Sequence, residues 1–264
     1  MQVCHRECVL VCGFAGFTLA AGQVTDHPDA VLQAMGERLR HRGPDGDGVW
    51  FNRDTGVGLT HRRLAIQDVS PSGAQPMHSA SGRYVIVFNG EIYNFMELAR
   101  ELAGLGVVFR GHSDTEVMLA CFDRWGVRES LDRLEGMFAF AVLDREIRYL
   151  YLARDRMGEK PLYYGFGRFG TLLFASELAA LRCHPHFNDE IDRDALALLL
   201  KHNYIPAPYS IYKSILKLEP ASLLTLKLGQ SQMQPRVEHY WNIGDYYAQD
   251  ELDAGRDEIV VQLT

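Results

Sequence analysis

The chain has 264 residues, 47% of them apolar and 23% charged, and carries a net charge of −7. That is enough apolar material for one large core, or for one core and part of another. The negative balance argues against nucleic acid or an anionic membrane as the main partner, and no apolar run approaches the length of a membrane span.

Residues 1–11 show no structural pattern. Cys4, His5, Arg6, Glu7 and Cys8 interrupt any apolar stretch there, so no signal peptide is read, and a cytoplasmic protein with reduced thiols is expected. Cys4, Cys8 and Cys12 fall at intervals of four with His5 between them. Zinc and iron–sulfur sites use tighter pairs and a fourth ligand, so no metal is expected. Cys121 and Cys183 read as small buried hydrophobes.

The first predicted strand spans 12–19 and opens with CGFAGF. A helix follows over 28–40, with Val31, Leu32, Met35 and Leu39 on one face and Gly43-Pro44 as its stop. PDGDG at 44–48 is turn chemistry. It is no calcium loop, because Gly56 stands where the closing glutamate would be. Strands are predicted at 49–51, 58–66 and, most strongly, 84–88 (YVIVF). Residues 96–105 read as a helix. Another starts at Ser113, which forms a capping-box pair with Glu116.

Further strands are predicted at 138–143, 149–153, 162–164, 171–175 and 223–228, and helices at 177–181, 192–201 and 251–263. Gly165, Gly167 and Gly170 match G-x-G-x-x-G, but a strand and not a helix follows, so a hairpin loop is expected there. Strands and helices come in runs and do not alternate throughout. The fold class is therefore α+β, with antiparallel sheets and helices on the outer faces.

Several residues could carry chemistry. Cys12 is a potential nucleophile, and the glycine after it lets other groups approach closely. No histidine follows it nearby, whereas a free α-amine, with a pKa of about 7.7–8.0, could act as its base. An amide nitrogen could not. Arg63, in HRRLAI at 61–66, has a planar fork suited to a carboxylate or to a surface ion pair. Asn89-Gly90 is either a hairpin turn or, because Glu91 to Asn94 lead into a helix, an oxyanion-binding pair. Asp114 complements a helix dipole or holds an ammonium group.

CGFAGF, RHRGPDG (40–46), HRRLAI, FNGEIYN (88–94), GHSDTEV (111–117), GMFAFA (136–141), RDRMGEKPLYY (154–164) and FASEL (174–178) occur in this order. Over about 12–241 that series closely resembles the N-terminal glutaminase domain of the glutamine-dependent asparagine synthetases. This is a class II glutamine amidotransferase of the N-terminal-nucleophile hydrolase superfamily. The resemblance implies a four-layer αββα sandwich. It makes Cys12 the nucleophile and its free α-amine the base, with Asn89 and the Gly90 N–H as oxyanion donors. It implies an L-glutamine pocket in which Arg63 holds the α-carboxylate, Glu91 and Asp114 hold the α-ammonium, and Leu64, Ala65, Ile66 and Gln67 line the backbone side.

Two departures stand out. Family members begin Met-Cys-Gly, whereas eleven residues precede Cys12 here. A misassigned start, with Val11 as the initiating codon, is the favoured explanation; a propeptide or an inhibitory extension are the others. The family's SGG-x-DS loop for ATP is also absent. Residues 242–264 are read as the start of a truncated synthetase domain. ATP and Mg²⁺ are expected to act there, and no cofactor is expected on this chain. The partner domain and a homodimer are implied by the same resemblance. Amidation of another carboxylate, such as a sugar acid in surface-polysaccharide assembly, is the alternative function, and a non-catalytic glutamine-binding module is a remote one.

Overall fold

The computed structural model describes residues 12–23, 25–65, 73–230 and 233–247. In chain order, the first half contains β1 (Gly13–Thr18), α1 (Pro28–Glu37), β2 (Gly46–Asn52), β3 (Val57–Arg63), β4 (Met77–His78), β5 (Tyr84–Ile92), α2 (Phe95–Gly104), α3 (Asp114–Trp125) and α4 (Val127–Arg133). The second half contains β6 (Gly136–Asp144), β7 (Tyr149–Arg154), β8 (Tyr163–Phe166), β9 (Leu172–Ala175), α5 (Leu178–Leu181) and α6 (Arg193–His202). It ends with β10 (Ile215–Lys217), β11 (Ser222–Lys227), β12 (Arg236–His239) and α7 (Ile243–Tyr247).

The strands form two six-stranded sheets, ordered β10-β8-β9-β1-β3-β2 and β12-β11-β7-β6-β5-β4. Every pairing is antiparallel. The two-residue period of each strand sorts its side chains into separate cores. On β5, Val85 and Val87 enter the core between the sheets, together with Phe14, Leu59, Ala139, Ala141, Leu152 and Phe174. Tyr84, Ile86 and Phe88 point the other way, into a core shared with Leu98, Leu102, Met118 and Phe122 of α2 and α3. On the far side, Ala15, Phe17 and Leu173 pack against Leu32 and Met35 of α1 and Leu181 of α5. Two helical layers thus enclose two sheets, giving the four-layer αββα order.

The sequence-based elements shift in instructive ways. The first helix stops at Glu37 instead of residue 40; Leu39 and Arg40 continue as tight turns, their N–H groups donating to the Gly36 and Glu37 carbonyls. This buries Leu39 and turns Arg42 back toward β1. Ser113 caps α3 by accepting from the Glu116 N–H, but the Glu116 carboxylate accepts from the Arg110 and Gly111 N–H groups instead of completing a capping box. Residues 167–171 form the loop of the antiparallel β8–β9 pair, so Gly167 and Gly170 lie in the hairpin loop while Gly165 is part of β8. The strand through residues 84–88 runs on to Ile92, so Asn89-Gly90 is strand and not a turn. Short elements without periodicity, β4, β10, β12, α4 and α7, were not predicted. Cys121 is buried as expected, whereas Cys183 is only partly so. The helix predicted at 251–263 and residues 1–11 lie outside the described residues.

His61 is fully enclosed between the sheets. Its Nε2 N–H donates to the Phe88 carbonyl at 3.0 Å and its Nδ1 has no partner among the described residues, so the ring is neutral. Burial pushes its pKa down to about 4, and His184 is held at about 4 in the same way. The unfolded chain therefore binds more protons between about pH 6.5 and 4. Stability should fall as pH drops through that window, by up to about 3 kcal/mol per histidine. Urea unfolding at pH 7 and pH 4.5 should show this loss, and His61→Gln should flatten it.

Candidate active site

Cys12 immediately precedes β1, whose Phe14 side chain enters the core between the sheets. By the two-residue period, the Cys12 side chain leaves the backbone on that same inter-sheet face. Its Sγ accepts from the Leu64 N–H at 3.3 Å and lies 3.6 Å from the Leu64 carbonyl. The residue is anchored from behind. Arg42 donates through Nε to the Cys12 carbonyl at 3.1 Å, and its Nη1 donates to Glu177 at 2.8 Å. Ser176 exchanges bonds with Phe14: the Phe14 N–H donates to Ser176 Oγ and the Ser176 N–H to the Phe14 carbonyl. RHRGPDG and FASEL therefore meet beneath the thiol, although no spacing in the sequence marks Arg42 or Glu177 individually.

The neighbouring sheet supplies the donors. Odd-numbered residues of β5 bond toward β6, a pattern continued by the Tyr93 N–H donating to the Glu135 carbonyl. Even-numbered residues face the opposite edge, which β4 covers only at Val85 and Ile86. Beyond β4, side chains take over. The Phe88 N–H donates to Gln75 Oε1 at 2.6 Å, and the Ile92 N–H donates to Asp114 Oδ2 at 3.1 Å. Between them the Gly90 N–H points off the same edge with no protein acceptor among the described residues. Phe138, opposite Gly90, directs both its N–H and its carbonyl to Asp155 instead. A side chain at Gly90 would collide with the Met137 carbonyl and the Phe138 backbone. Asn89 is buried, and its Nδ2 has no hydrogen-bond partner among the described residues.

These groups open into one pocket of about 120 Å³, lined by Cys12, Arg63, Leu64, Asn89, Gly90, Glu91 and Asp114 among others. The residues singled out from sequence are thus brought together from four segments. Ala65 is the exception: its N–H donates to Asp45 Oδ2, which pins the turn after β3, and it does not line the pocket. Ile66 and Gln67 lie outside the described residues. Gln75, Ser113, Thr115, Met137 and Lys160 also line the pocket and were not singled out. They lie in loops and at element ends, where no periodicity marks a side chain. Among the described residues, no cluster of three or more His, Cys, Asp or Glu could hold a metal ion. No helix among them is long and apolar enough to cross a membrane.

The pocket joins a nucleophile, two unsatisfied N–H donors, one guanidinium and two carboxylates. A glutamine amidotransferase domain model matches residues 11–241. The chain belongs to the glutamine amidotransferase domain family. Asparagine synthetase [glutamine-hydrolyzing] 1 of Bacillus subtilis is 38% identical over 219 residues, covering 82% of this chain and 34% of that protein. A putative asparagine synthetase [glutamine-hydrolyzing] 2 of Methanocaldococcus jannaschii is 32% identical, covering 89% and 47%. The amidotransferase domain chain thus spans about a third to a half of the length of these curated relatives. Among solved structures, the glutamine phosphoribosylpyrophosphate amidotransferase of B. subtilis superposes with a TM-score of 0.63 at 18% identity, covering 87% of this chain and 49% of that one. This likeness shows a shared fold.

The electrostatics of the domain's pocket are opposed. Burial raises the Cys12 thiol above its ordinary pKa, while the Leu64 N–H and the Arg63 charge pull it down and Asp114 pushes it up. Burial also raises Asp114, against hydrogen bonds from the Ile92 N–H and Thr115. Alkylation of Cys12 by iodoacetamide, followed by peptide mass spectrometry, should therefore show a pH midpoint above the ordinary thiol value. Arg63→Gln should move that midpoint up and Asp114→Asn should move it down.

Proposed function

We propose that the domain hydrolyses L-glutamine to glutamate and ammonia at Cys12. The observation that carries this reading is the convergence of the Cys12 thiol with the Asn89 Nδ2 and the Gly90 N–H, neither of which has a partner among the described residues. These are the groups that acyl transfer from an amide requires. Arg63 pairs with the substrate α-carboxylate, and Glu91 and Asp114 with its α-ammonium, leaving the side-chain amide at Cys12.

In the reaction, the α-amine of Cys12 takes the thiol proton and sulfur attacks the amide carbon. The oxyanion accepts from Asn89 and Gly90. The C–N bond then breaks, and the amine's proton leaves with ammonia. Water attacks the resulting γ-glutamyl thioester, giving up a proton to the same amine. The C–S bond breaks to release glutamate, and the sulfur regains its proton. Each step needs a free amine on Cys12, so the working form begins at that residue. Initiation at Val11 with loss of the initiating methionine would produce it.

In a longer protein the ammonia would amidate aspartate to asparagine at the expense of ATP, with Mg²⁺. The relatives' names support this part. The SGG-x-DS string is absent from these residues, so we place the ATP-dependent step beyond them and read 242–264 as the beginning of that domain. A cytoplasmic homodimer is the setting that the resemblance to asparagine synthetases implies.

A form starting at Cys12 should release glutamate from glutamine, and a form retaining residues 1–11 should be nearly inactive. Equal rates, with mass spectrometry showing the extension intact, would exclude the free-amine base. Cys12→Ala should abolish hydrolysis. Asn89→Ala should lower kcat by about 10²–10³, and Arg63→Ala should act mainly on the glutamine KM.

A further inference from the structure

The hydrolysis of glutamine described above uses no histidine, yet one is buried between the sheet of the nucleophile and the sheet of the donors. On β3, Val57, Leu59 and His61 alternate onto the face between the sheets, where Val57 and Leu59 enter the apolar core. His61 follows them, two residues before Arg63, and does not itself line the pocket. In the pairing with β1 it stands opposite Phe14, and Arg62 stands opposite Gly13, so it lies beside the strand that Cys12 leads into. Burial, and with it the nearby Arg63 charge, keeps the ring neutral against the opposing pull of the Phe88 carbonyl.

The ring's hydrogen bond reaches across the inter-sheet space to the Phe88 carbonyl at 3.0 Å. That carbonyl and the Asn89 N–H belong to one peptide unit, and Asn89 pairs with Ala139 of β6. The unit is therefore held at both ends, and the Phe88 N–H before it is held by Gln75 Oε1 at 2.6 Å. The next unit carries the Asn89 carbonyl and the Gly90 N–H. It is tied to β6 at its carbonyl, while its N–H has no protein acceptor among the described residues. The tilt of that free end follows from the unit before it, because adjoining peptide planes share one Cα and turn about only two soft dihedrals. Core filling alone would be served by an apolar side chain. The histidine instead leaves Nδ1 unpartnered among the described residues, at a cost in free energy, and gives the buried Phe88 carbonyl its donor.

We propose that His61 is a positioning residue for the oxyanion donors. By holding the Phe88 carbonyl it fixes the peptide that leads into Asn89 and Gly90, and so sets where their N–H groups stand relative to the Cys12 sulfur. This role rests on the reading of the pocket as a glutaminase site. The bond matters most when negative charge develops on the amide oxygen, since a donor displaced by about 1 Å stabilises that charge far less than one in line. Attack by the same sulfur on a carbon that forms no oxyanion does not depend on it.

The test compares two reactions of the Cys12 thiol in the form starting at that residue. Glutamine hydrolysis passes through an oxyanion, whereas alkylation by iodoacetamide displaces iodide directly from carbon and forms none. His61→Leu, which removes the donor, should lower kcat for glutamine by roughly ten- to a hundredfold. The glutamine KM and the Cys12 alkylation rate should stay unchanged. His61→Gln, which can offer an N–H at the place of Nε2, should recover most of the loss. An unchanged kcat in His61→Leu overturns the role. Hydrolysis and alkylation falling together also overturn it, because the damage is then to the thiol or the fold. The same holds if His61→Gln is as slow as His61→Leu. Where His61→Leu does not fold, His61→Met, whose flexible chain fills irregular space, takes its place. If neither folds, the bond serves the fold alone and the role falls. Failure of the unsubstituted form to release glutamate from glutamine overturns the glutamine reading itself, and the role of His61 with it.

Discussion

Strand β5 is hydrogen-bonded along its whole length on one edge, but on the other β4 pairs with it only at Val85 and Ile86. A buried backbone N–H left unpaired costs about as much as a lost hydrogen bond, so the open edge has to be satisfied by other means. Gln75 takes the Phe88 N–H and Asp114 takes the Ile92 N–H. The gap between these two caps is where Gly90 lies. The strand's two-residue period then requires Asn89 to project toward the other sheet, the face on which Cys12 emerges. The donor arrangement thus follows from ending one edge strand early.

This constraint reaches well beyond β5. Asp114 sits at the start of α3, so the helix cannot shift without uncapping Ile92. His61, on β3, bonds to the Phe88 carbonyl across the inter-sheet space and ties the Cys12 sheet to the donor sheet. Arg42 and Glu177 hold the Cys12 carbonyl from the outer side, so the nucleophile is braced from behind while its thiol faces the pocket. Loops and turns beside the pocket are held by backbone contacts to carboxylates. Asp155 does this for the Lys160 loop, and Asp45 does it for the turn after Arg63.

Much of the sheet framework was legible because its strands alternate and its runs are strongly β-type. The strand at 84–88 and those at 138–143 and 149–153 are recognisable from composition alone, and each proved longer than its apolar run. Asn89-Gly90 resisted reading, since the pair is also a strong turn signal. Pairing with Phe138 and Ala139 overrides that local preference. Ser113 was readable as a cap, but the direction of Glu116 was not, because the Arg110 and Gly111 N–H groups compete for its carboxylate only once the loop has folded.

By itself the sequence determined the α+β class, the order of the motifs, and Cys12, Arg63, Asn89, Gly90 and Asp114 as candidates, because residue type and local periodicity are properties of neighbours in the chain; Glu91 and residues 64–67 were added by the family resemblance that the motif order carries. Only the tertiary structure decided which of them share a pocket and which backbone donor is left open. It placed Ala65 outside that pocket, and it brought in Arg42, Gln75, Glu177 and Lys160. Those assignments depend on strand register and sheet edges, which are set by pairing between segments far apart in sequence.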